Sequence, residues 1–165
     1  MSYFKKFPFI NRYKIQNKTF TAQDITRRTA LLNESRNNPN AYTEYLIKDG
    51  ESAHIISDRI YDTVDLYWVI LMFNNIFDES SQWPLDHLSL DTYIKRMYEN
   101  PNGLHHYVSA MTGSVVCRDH PEYDKVPITN YEHELNINEE KRRVKIPIPS
   151  VARQIVSEHN RLVAL

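Results

Sequence analysis

One unbroken apolar run, Leu66 to Phe73, interrupts a chain in which apolar and polar residues are otherwise mixed. A membrane-spanning helix needs roughly 20 mostly apolar residues, so this run is too short to cross a bilayer. A run of this length fits a buried strand or a buried helix, and its flanks favour the helix. Thr63 or Asp65 can cap the first turn. Asn74 or Asn75 can take the left-handed conformation that ends a helix.

Apolar side chains surround this predicted helix rather than forming a single stripe. One face, at helical spacing, is formed by Leu66, Val69, Ile70 and Phe73. Trp68 and Met72 lie on another side, so the helix must be covered from more than one direction. A unit of about 50 residues has little core to offer. We therefore expect the cover to come from the chain's own arms or from a neighbouring subunit.

The pattern divides the chain into three parts. Residues 1–41 are predicted to be an N-terminal arm, extended over residues 1 to about 23, which lack periodicity, with a short helix or strand at Asp24 to Leu32. Residues 42–99 have the order strand, helix, helix, strand. Residues 100–165 hold an extended segment, a β-hairpin and a C-terminal helix. The predicted fold class is α+β, a small βααβ core with an extended N-terminal arm and a C-terminal β-hairpin plus helix.

Local signals define the elements of the core. The first strand is predicted at Tyr42 to Lys48 and ends at the turn Asp49-Gly50. The helix that follows has one apolar face, formed by Ala53, Ile56 and Ile60. Asp49 is placed to cap that helix. The strand that closes the core is expected within residues 88–98, whose sequence can begin as a strand and continue as a helix.

The C-terminal part is assigned by similar signals. Residues 117–130 hold two prolines and no periodicity, which predicts a loop. Residues 131–149 are predicted to form two strands around the turn Asn138 to Glu140, because apolar and basic residues alternate in the second of them. Ser150 can cap a final helix. The apolar positions of that helix are Val151, Ile155 and Leu162.

Aromatic residues are abundant, since eleven tyrosines, six phenylalanines and two tryptophans accompany only three glycines. Such enrichment is typical of interface centres and equally of a tyrosine-rich core, so composition leaves both open. The formal net charge of −1 excludes a bulk basic field that attracts nucleic acid. The single cysteine, Cys117, excludes an internal disulfide and suits a reducing compartment. The first residues lack the apolar segment of a signal peptide, so we expect a soluble cytoplasmic protein.

Titratable residues suggest only weak candidates for chemistry. Glu51 and His54 could act as acid and base. Asp119 and His120 could do the same, but no nucleophile motif or glycine-rich loop accompanies either pair. Cys117 and His120 supply only two ligand types, whereas a structural zinc site needs four ligands. We therefore expect no enzyme activity, no catalytic residue and no cofactor.

Adjacent histidines and basic clusters also favour simple explanations. His105 and His106 would point to opposite faces of a regular strand, so we expect no metal site. Arg27-Arg28 and Lys141 to Arg143 could contact phosphates. Acidic Glu139 and Glu140 lie beside the second cluster, which favours solvated surface or ion pairs with a protein partner. We expect no nucleic-acid partner.

Two loop motifs resemble those of LysM modules, which are βααβ units. Asp49-Gly50-Glu51 follows the first strand, and residues 74–78, NNIFD, follow the second helix. Many LysM modules bind peptidoglycan or chitin through these loops. The resemblance thus implies a saccharide groove formed by Asp49, Gly50, Glu51, Asn75 and Asp78. The alternative is that these residues form only turns and caps, which their residue types alone explain. The chain departs from the LysM pattern at Asp62-Thr63 and at Asp78-Glu79, which replace a glycine and an aspartate-proline pair.

A longer set of motifs extends over residues 3–107. It consists of YFKKFPFI at 3–10, DITRR at 24–28, DGE at 49–51, YWVIL at 67–71, NNIFD at 74–78, WPL at 83–85 and HHY at 105–107. In this order and spacing the motifs resemble the baseplate wedge proteins of T-even-type contractile-tailed phages. The resemblance implies a LysM-like fold and a structural subunit that joins neighbouring wedges and catalyses no reaction.

The same resemblance implies partners and a location. The partners would be other baseplate wedge subunits, with tail hub or tube proteins as further candidates, and neither a membrane nor peptidoglycan. The location would be the tail baseplate of the virion, after assembly in the host cytoplasm. A saccharide-binding LysM protein that recognises peptidoglycan is the alternative function. The residues expected at interfaces are Tyr3, Phe4, Phe7, Arg27, Arg28, Tyr67, Trp68, Trp83, His105, His106 and Tyr107.

Trp83 is the expected interface anchor with the clearest consequence. It lies in a polar stretch before Pro84, which biases its backbone away from a helix. We expect it to pack over the end of the core or against a neighbour. On that interpretation, Trp83→Ala would leave the stability of the monomer nearly unchanged.

Overall fold

The computed structural model describes residues 3–15, 18–31, 36–119 and 121–164. The fold is α+β, as predicted. The strands are β1 (Phe9–Ile15), β2 (Lys18–Gln23), β3 (Tyr42–Leu46), β4 (Leu104–Ser109), β5 (Val115–Val116), β6 (Lys125–Thr129) and β7 (Arg143–Pro147). The helices are α1 (Ala53–Tyr61), α2 (Tyr67–Phe73), α3 (Glu79–Gln82), α4 (His87–Met97), α5 (Asn130–Lys141) and α6 (Pro149–Val163). Among the helices described, none combines the length and apolar character that a bilayer span requires.

The chain divides into two compact units, each built from separate stretches of sequence. The first unit comprises Met1–Tyr45, Glu51–Gln82 and Val144–Leu165, and the second comprises Leu46–Gly50 and Trp83–Arg143. The first unit contains the hairpin of β1 and β2, the two-stranded sheet of β3 and β7, and helices α1, α2, α3 and α6. The second contains α4, α5 and the three-stranded sheet in the order β5-β4-β6.

The N-terminal segment is an antiparallel hairpin of β1 and β2 rather than an unpaired arm. Residues 24–31 form a turn and irregular backbone, so the helix or strand predicted there is wrong for the described part, and Leu32 lies outside the described residues. Asp24 and Thr26 explain the turn, because the Asp24 carboxylate accepts hydrogen bonds from the backbone and the hydroxyl of Thr26. This local bonding competes with regular secondary structure.

The predicted core order is correct for β3, α1 and α2 but not for the closing strand. The segment expected to supply it is helical as far as Met97, as α4, and Tyr98 follows in extended conformation. Asp86 caps α4 by accepting from the backbone N–H groups of Leu88 and Ser89. Leu90 and Ile94 are buried at helical spacing. The partner of β3 is β7, far along the chain, so the pairing is non-local and leaves no signal near residue 88.

Helix α1 begins and ends at polar residues. Its cap is Ser52, whose hydroxyl accepts from the Ile55 N–H at 3.4 Å, so the expectation that Asp49 caps it is wrong. Ala53 and Ile56 are fully buried, as the predicted apolar face requires. The helix ends at Asp62, whose φ of +54° is left-handed. The break predicted between the two helices is therefore confirmed.

Helix α2 is the apolar run, and the chain itself covers it. Thr63 accepts from the Asp65 N–H ahead of the helix, and Asn75, with a φ of +57°, follows its end. One core cluster consists of Trp68, Val69 and Phe73 of α2 with Ala152 and Ile155 of α6. Tyr3 and Leu31 of the N-terminal segment pack against this cluster. The expectation that the chain's own arms contribute cover is confirmed.

Asn74 connects the end of α2 to β7. Its side-chain amide donates to the carbonyls of Ile70 at 2.9 Å and Lys145 at 2.7 Å, and its oxygen accepts from the Lys145 N–H at 2.8 Å. The side chain thus satisfies backbone groups of a strand as a neighbouring strand would. This contact holds the strand that pairs with β3 against the helix.

The predicted C-terminal helix is present as α6, with a different start and a different buried face. Pro149 occupies the first turn, where its missing N–H costs nothing, and Ser150 lies inside the helix rather than capping it. Leu162 is exposed, contrary to prediction. The buried residues of the helix are Ala152, Ile155, His159 and Val163.

The second unit corrects two predictions. Residues 125–129, expected in a loop, form β6, and Pro127 is tolerated because β6 is an edge strand. The first strand of the predicted hairpin is helix α5. A reciprocal capping box starts this helix, in which Thr129 accepts from the Glu132 N–H while the Glu132 carboxylate accepts from the Thr129 N–H. These hydrogen bonds hold the pKa of Glu132 below its usual value. Only the second strand, β7, matches the prediction.

Candidate interaction surface

A groove of about 500 Å³ opens in the first unit beside the apolar helix. Six of its lining residues were expected at interfaces: Tyr3, Phe4, Arg27, Arg28, Tyr67 and Trp68. The other apolar lining residues are Ile25, Leu71, Met72, Ile76 and Phe77. The walls are therefore largely aromatic and aliphatic, with arginines among them. We call this feature the aromatic groove.

His159 of α6 holds the N-terminal wall of the aromatic groove in place. Its Nε2 lies 2.8 Å from the Tyr3 carbonyl oxygen and its Nδ1 lies 2.8 Å from the Thr29 hydroxyl. Because a carbonyl only accepts, Nε2 carries the proton and, in a neutral ring, Nδ1 accepts from Thr29. The ring stacks on Tyr3 at 4.6 Å and is 4.8 Å from the Trp68 ring. His159 is 3% exposed, so it is a structural clamp.

The sequence did not single out His159 as a functional residue. Its spacing from Ile155 places both residues on one face of the predicted amphipathic helix. This spacing was the sequence signal that His159 would be buried. Its partners lie at the opposite end of the chain, 156 and 130 residues away. No local pattern predicts contacts of that range.

Two arginines of the aromatic groove differ in their partners. The Arg28 guanidinium lies 4.0 Å from the centre of the exposed Phe77 ring, a cation–π contact. The Arg27 Nε donates to Asp24 at 3.1 Å and its Nη1 donates to the Val163 carbonyl at 3.3 Å. Hydrogen bonds from Thr26 and then Arg27 hold the pKa of Asp24 below its usual value. Arg28 therefore presents cationic charge beside an exposed ring, while much of the Arg27 charge is balanced by Asp24.

The remaining expected interface residues lie elsewhere. Phe7 is 2% exposed and packs near the rings of Tyr3 and His159. Trp83 belongs to the second unit and is 7% exposed. The chain itself buries Trp83, so no neighbour is needed to cover it, as one of the two expected placements assumed. Tyr107 lies on β4, where the Lys125 ammonium is 4.8 Å from its ring centre.

His105 and His106 do not diverge, because β4 is irregular where they lie. Leu104 pairs with Thr129 and His106 with Ile128, so one additional residue, His105, is inserted on β4. Such a bulge breaks the alternation of a regular strand. The two Nδ1 atoms are 2.7 Å apart. The expectation that these side chains point apart is therefore wrong.

His133 of α5 joins the two strand histidines, and the sequence prediction missed it. Its ring stacks on His105 at 3.8 Å with planes 14° apart, and it meets His106 edge-on at 5.5 Å. Partial desolvation, followed by the charges of His133 and His106, lowers the pKa of His105. The capping box at Thr129 and Glu132 was the signal that would have placed His133 on a helix. We call these three residues the histidine cluster.

The residues expected in a saccharide groove make local bonds. Gly50 forms the predicted turn with a φ of +69°, a conformation that favours glycine. The Asp49 carboxylate accepts from the His87 N–H at 3.1 Å and from Arg142 at 3.0 Å. Asp78 accepts from the hydroxyls of Ser80 and Ser81, both at 2.6 Å. Asn75 follows the end of α2. These four residues, Asp49, Gly50, Asn75 and Asp78, are therefore explained by turns, caps and an ion pair.

Glu51, the fifth of them, is buried in a polar network of the first unit. It accepts from the Tyr45 hydroxyl at 2.8 Å and pairs with Arg59 at 2.5 Å. Desolvation and the hydrogen bond to Glu51 raise the pKa of Tyr45. His54, considered as a partner in acid–base chemistry, instead stacks on Tyr67 at 3.9 Å. His120, named with Asp119 and Cys117, lies outside the described residues.

No family model matches the chain, and no curated protein matches it. The class that the fold and the groove define is an α+β protein of two compact units, one of which presents an aromatic groove. Any more specific function rests on the residues themselves and on the motif resemblance.

Replacing the clamp residue by His159→Phe should loosen the N-terminal segment. Phenylalanine preserves ring stacking on Tyr3 but leaves the Tyr3 carbonyl without its donor, which costs about 1–3 kcal/mol for a buried group. We expect faster tryptic cleavage after the exposed Lys5 and Lys6 and a lower melting temperature. His54→Phe is the matched control, because His54 is exposed and also stacks on a tyrosine ring, that of Tyr67. Equal cleavage rates in the two variants would show that His159 does not hold the segment.

Proposed function

We propose that this chain is a structural subunit of a phage contractile-tail baseplate that joins neighbouring wedges by protein–protein contacts. On this proposal it catalyses no reaction, and it resides in the virion after assembly in the host cytoplasm. Its partners are other baseplate wedge subunits. Tail hub or tube proteins are further candidates.

One observation carries the proposal. Residues from four of the motifs on which the resemblance rests line the aromatic groove together. They are Tyr3 and Phe4, Arg27 and Arg28, Tyr67 and Trp68, and Ile76 and Phe77. These motifs are separated along the chain, so their convergence on one surface supports a shared role in binding. The residues expected in a saccharide groove, by contrast, are engaged in turns, caps and ion pairs.

The chemistry of the aromatic groove indicates what it would bind. Aromatic and aliphatic walls with arginine resemble the composition of protein interface centres. Arg28 adds positive charge beside the exposed Phe77. The occupant that fits is an apolar segment of a neighbouring wedge subunit that carries an acidic side chain, because opposite charges at an interface favour the correct partner.

Arg28→Glu tests this proposal. Reversing the charge places a carboxylate against an acidic partner segment, and like charges across an interface cost several kcal/mol. We expect recovery of the other wedge proteins with the tagged chain to fall about tenfold or more. Arg153→Glu is the control, because Arg153 is exposed in the same unit but does not line the groove. Circular dichroism should report the same fold for both variants.

Two outcomes would count against the proposal. If Arg28→Glu retained the wedge proteins as well as the wild type does, the groove would not be the joining surface. If the wild-type chain instead bound purified peptidoglycan tightly and saturably, the saccharide-binding alternative would replace it.

A further inference from the structure

The histidine cluster of the second unit has the composition of a metal site. His105, His106 and His133 each offer one ring nitrogen, and these three atoms lie within 4.8 Å of one another. Imidazole nitrogen is a good ligand for zinc, copper, nickel and related ions. Three histidines are also the protein ligands of zinc sites that keep a fourth position open.

The backbone that presents the cluster is held in place independently of the imidazoles. The bulge in β4 directs His105 and His106 to one side. Asn130, at the start of α5, donates through its backbone N–H to Gly103 and through its side chain to Asn100, both at 2.9 Å. These bonds fix the start of the helix that carries His133 to the loop that leads into β4. A site whose ligands lie on a bonded strand and helix loses little entropy when it binds an ion.

Side-chain rotation is needed to bring the three nitrogens, now within 4.8 Å of one another, to the separations that a metal ion requires. With Zn–N bonds of 2.0–2.1 Å and tetrahedral geometry, ligand nitrogens lie about 3.3 Å apart. The Nδ1 atoms of His105 and His106, at 2.7 Å, must share a proton between them, and an ion can take the place of that proton. The stacked rings of His105 and His133 must rotate about their Cβ–Cγ bonds to direct both lone pairs at one ion. His105 is exposed and the other two are half-buried, so an ion can reach the cluster from the solvent side.

We propose that His105, His106 and His133 together bind one divalent transition-metal ion of the zinc class, with water completing the coordination. This site is independent of the aromatic groove, and it holds even if the wedge-joining function fails. Its effect on the protein is to cross-link β4 to α5. Binding to the folded state alone stabilises that state by mass action.

Zinc binding to the full-length, untagged chain tests the proposal, since a polyhistidine tag would itself bind the ion. After removal of metals with a chelator, titration calorimetry with zinc chloride should show one saturable site per chain. Free zinc at a hundredfold excess over Kd should raise the melting temperature by roughly 5–10 °C. Cobalt(II) should give the visible absorption of a low-coordinate nitrogen site.

Single substitutions assign the site. His105→Gln, His106→Gln and His133→Gln should each weaken zinc binding at least about tenfold, since loss of a ligand costs no less than loss of its supporting partner. His87→Gln is the control, because His87 is exposed in the same unit but outside the cluster. It should bind zinc as the wild type does. Histidine-ring NMR signals of the wild type should shift at the three cluster residues and not at His87.

Three results would overturn the proposal. One is the absence of saturable zinc binding by the wild-type chain. Another is full retention of binding when all three cluster histidines are replaced, which would place the ion elsewhere. The third is equal loss of affinity in His87→Gln and His133→Gln, which would show weak, unspecific binding to any exposed histidine.

Discussion

Trp68→Ala is expected to lower the free energy of unfolding by about 3–5 kcal/mol, because it leaves a large cavity in the core. Trp68 is 6% exposed and belongs to the core cluster formed by α2 and α6. Its ring contacts those of Tyr3 at 5.3 Å and His159 at 4.8 Å. It also lines the aromatic groove. The substitution should therefore reduce stability and partner binding together.

Urea denaturation followed by circular dichroism measures this effect. Met111→Ala is a suitable control, because Met111 is 81% exposed and its truncation removes little buried surface. The midpoint for Trp68→Ala should fall far below both the wild type and the control. A loss of less than about 1 kcal/mol would show that the core closes around the missing ring or that the N-terminal segment does not pack there.

Trp83→Ala is expected to destabilise the second unit by a similar amount, about 3–5 kcal/mol. The sequence alone predicted almost no change, on the expectation that Trp83 packs over the end of the core or against a neighbour. Its exposure of only 7% reverses that expectation. Tyr123→Ala is the matched control, since Tyr123 is a large aromatic residue of the same unit that is 86% exposed.

Fluorescence distinguishes the two units in this experiment, because the chain has two tryptophans, one in each unit. In Trp83→Ala the remaining signal comes from Trp68 and reports the first unit, while circular dichroism reports both units. We expect the circular dichroism transition to move to lower urea by more than the control does. A variant with wild-type stability that fails only in assembly would instead restore Trp83 as an interface anchor.

Local chemistry made part of the fold predictable from sequence. The apolar run predicted α2, and Asn75 takes the left-handed conformation expected after its end. Thr63 caps only the short 3-10 turn that precedes α2, and α2 itself begins after Leu66 without a side-chain cap. The turn at Gly50 followed from the conformational freedom of glycine. These features depend on bonds between residues a few positions apart, and such bonds are visible in the sequence.

The strands were harder to predict, because a strand is defined by a partner that can lie anywhere in the chain. The segment that carries Pro127 looked like a loop, but an edge strand tolerates proline. The partner of β3 lies beyond residue 142 rather than within residues 88–98. Helix α5 was predicted as a strand, although the sequence contained a helix signal there. Thr129 and Glu132 have the spacing of a capping box.

Apolar periodicity and side-chain chemistry were enough to predict the fold class, the buried helix and the residue types available for binding. The sequence named Tyr3, Arg28 and Trp68 as separate interface candidates without a reason for them to meet. Only the tertiary structure placed them around one groove, through a clamp residue at the far end of the chain. Only it brought the histidines together, because a bulge depends on the register of the partner strand. Contacts between distant residues arise from how elements pack, and no local pattern records that packing.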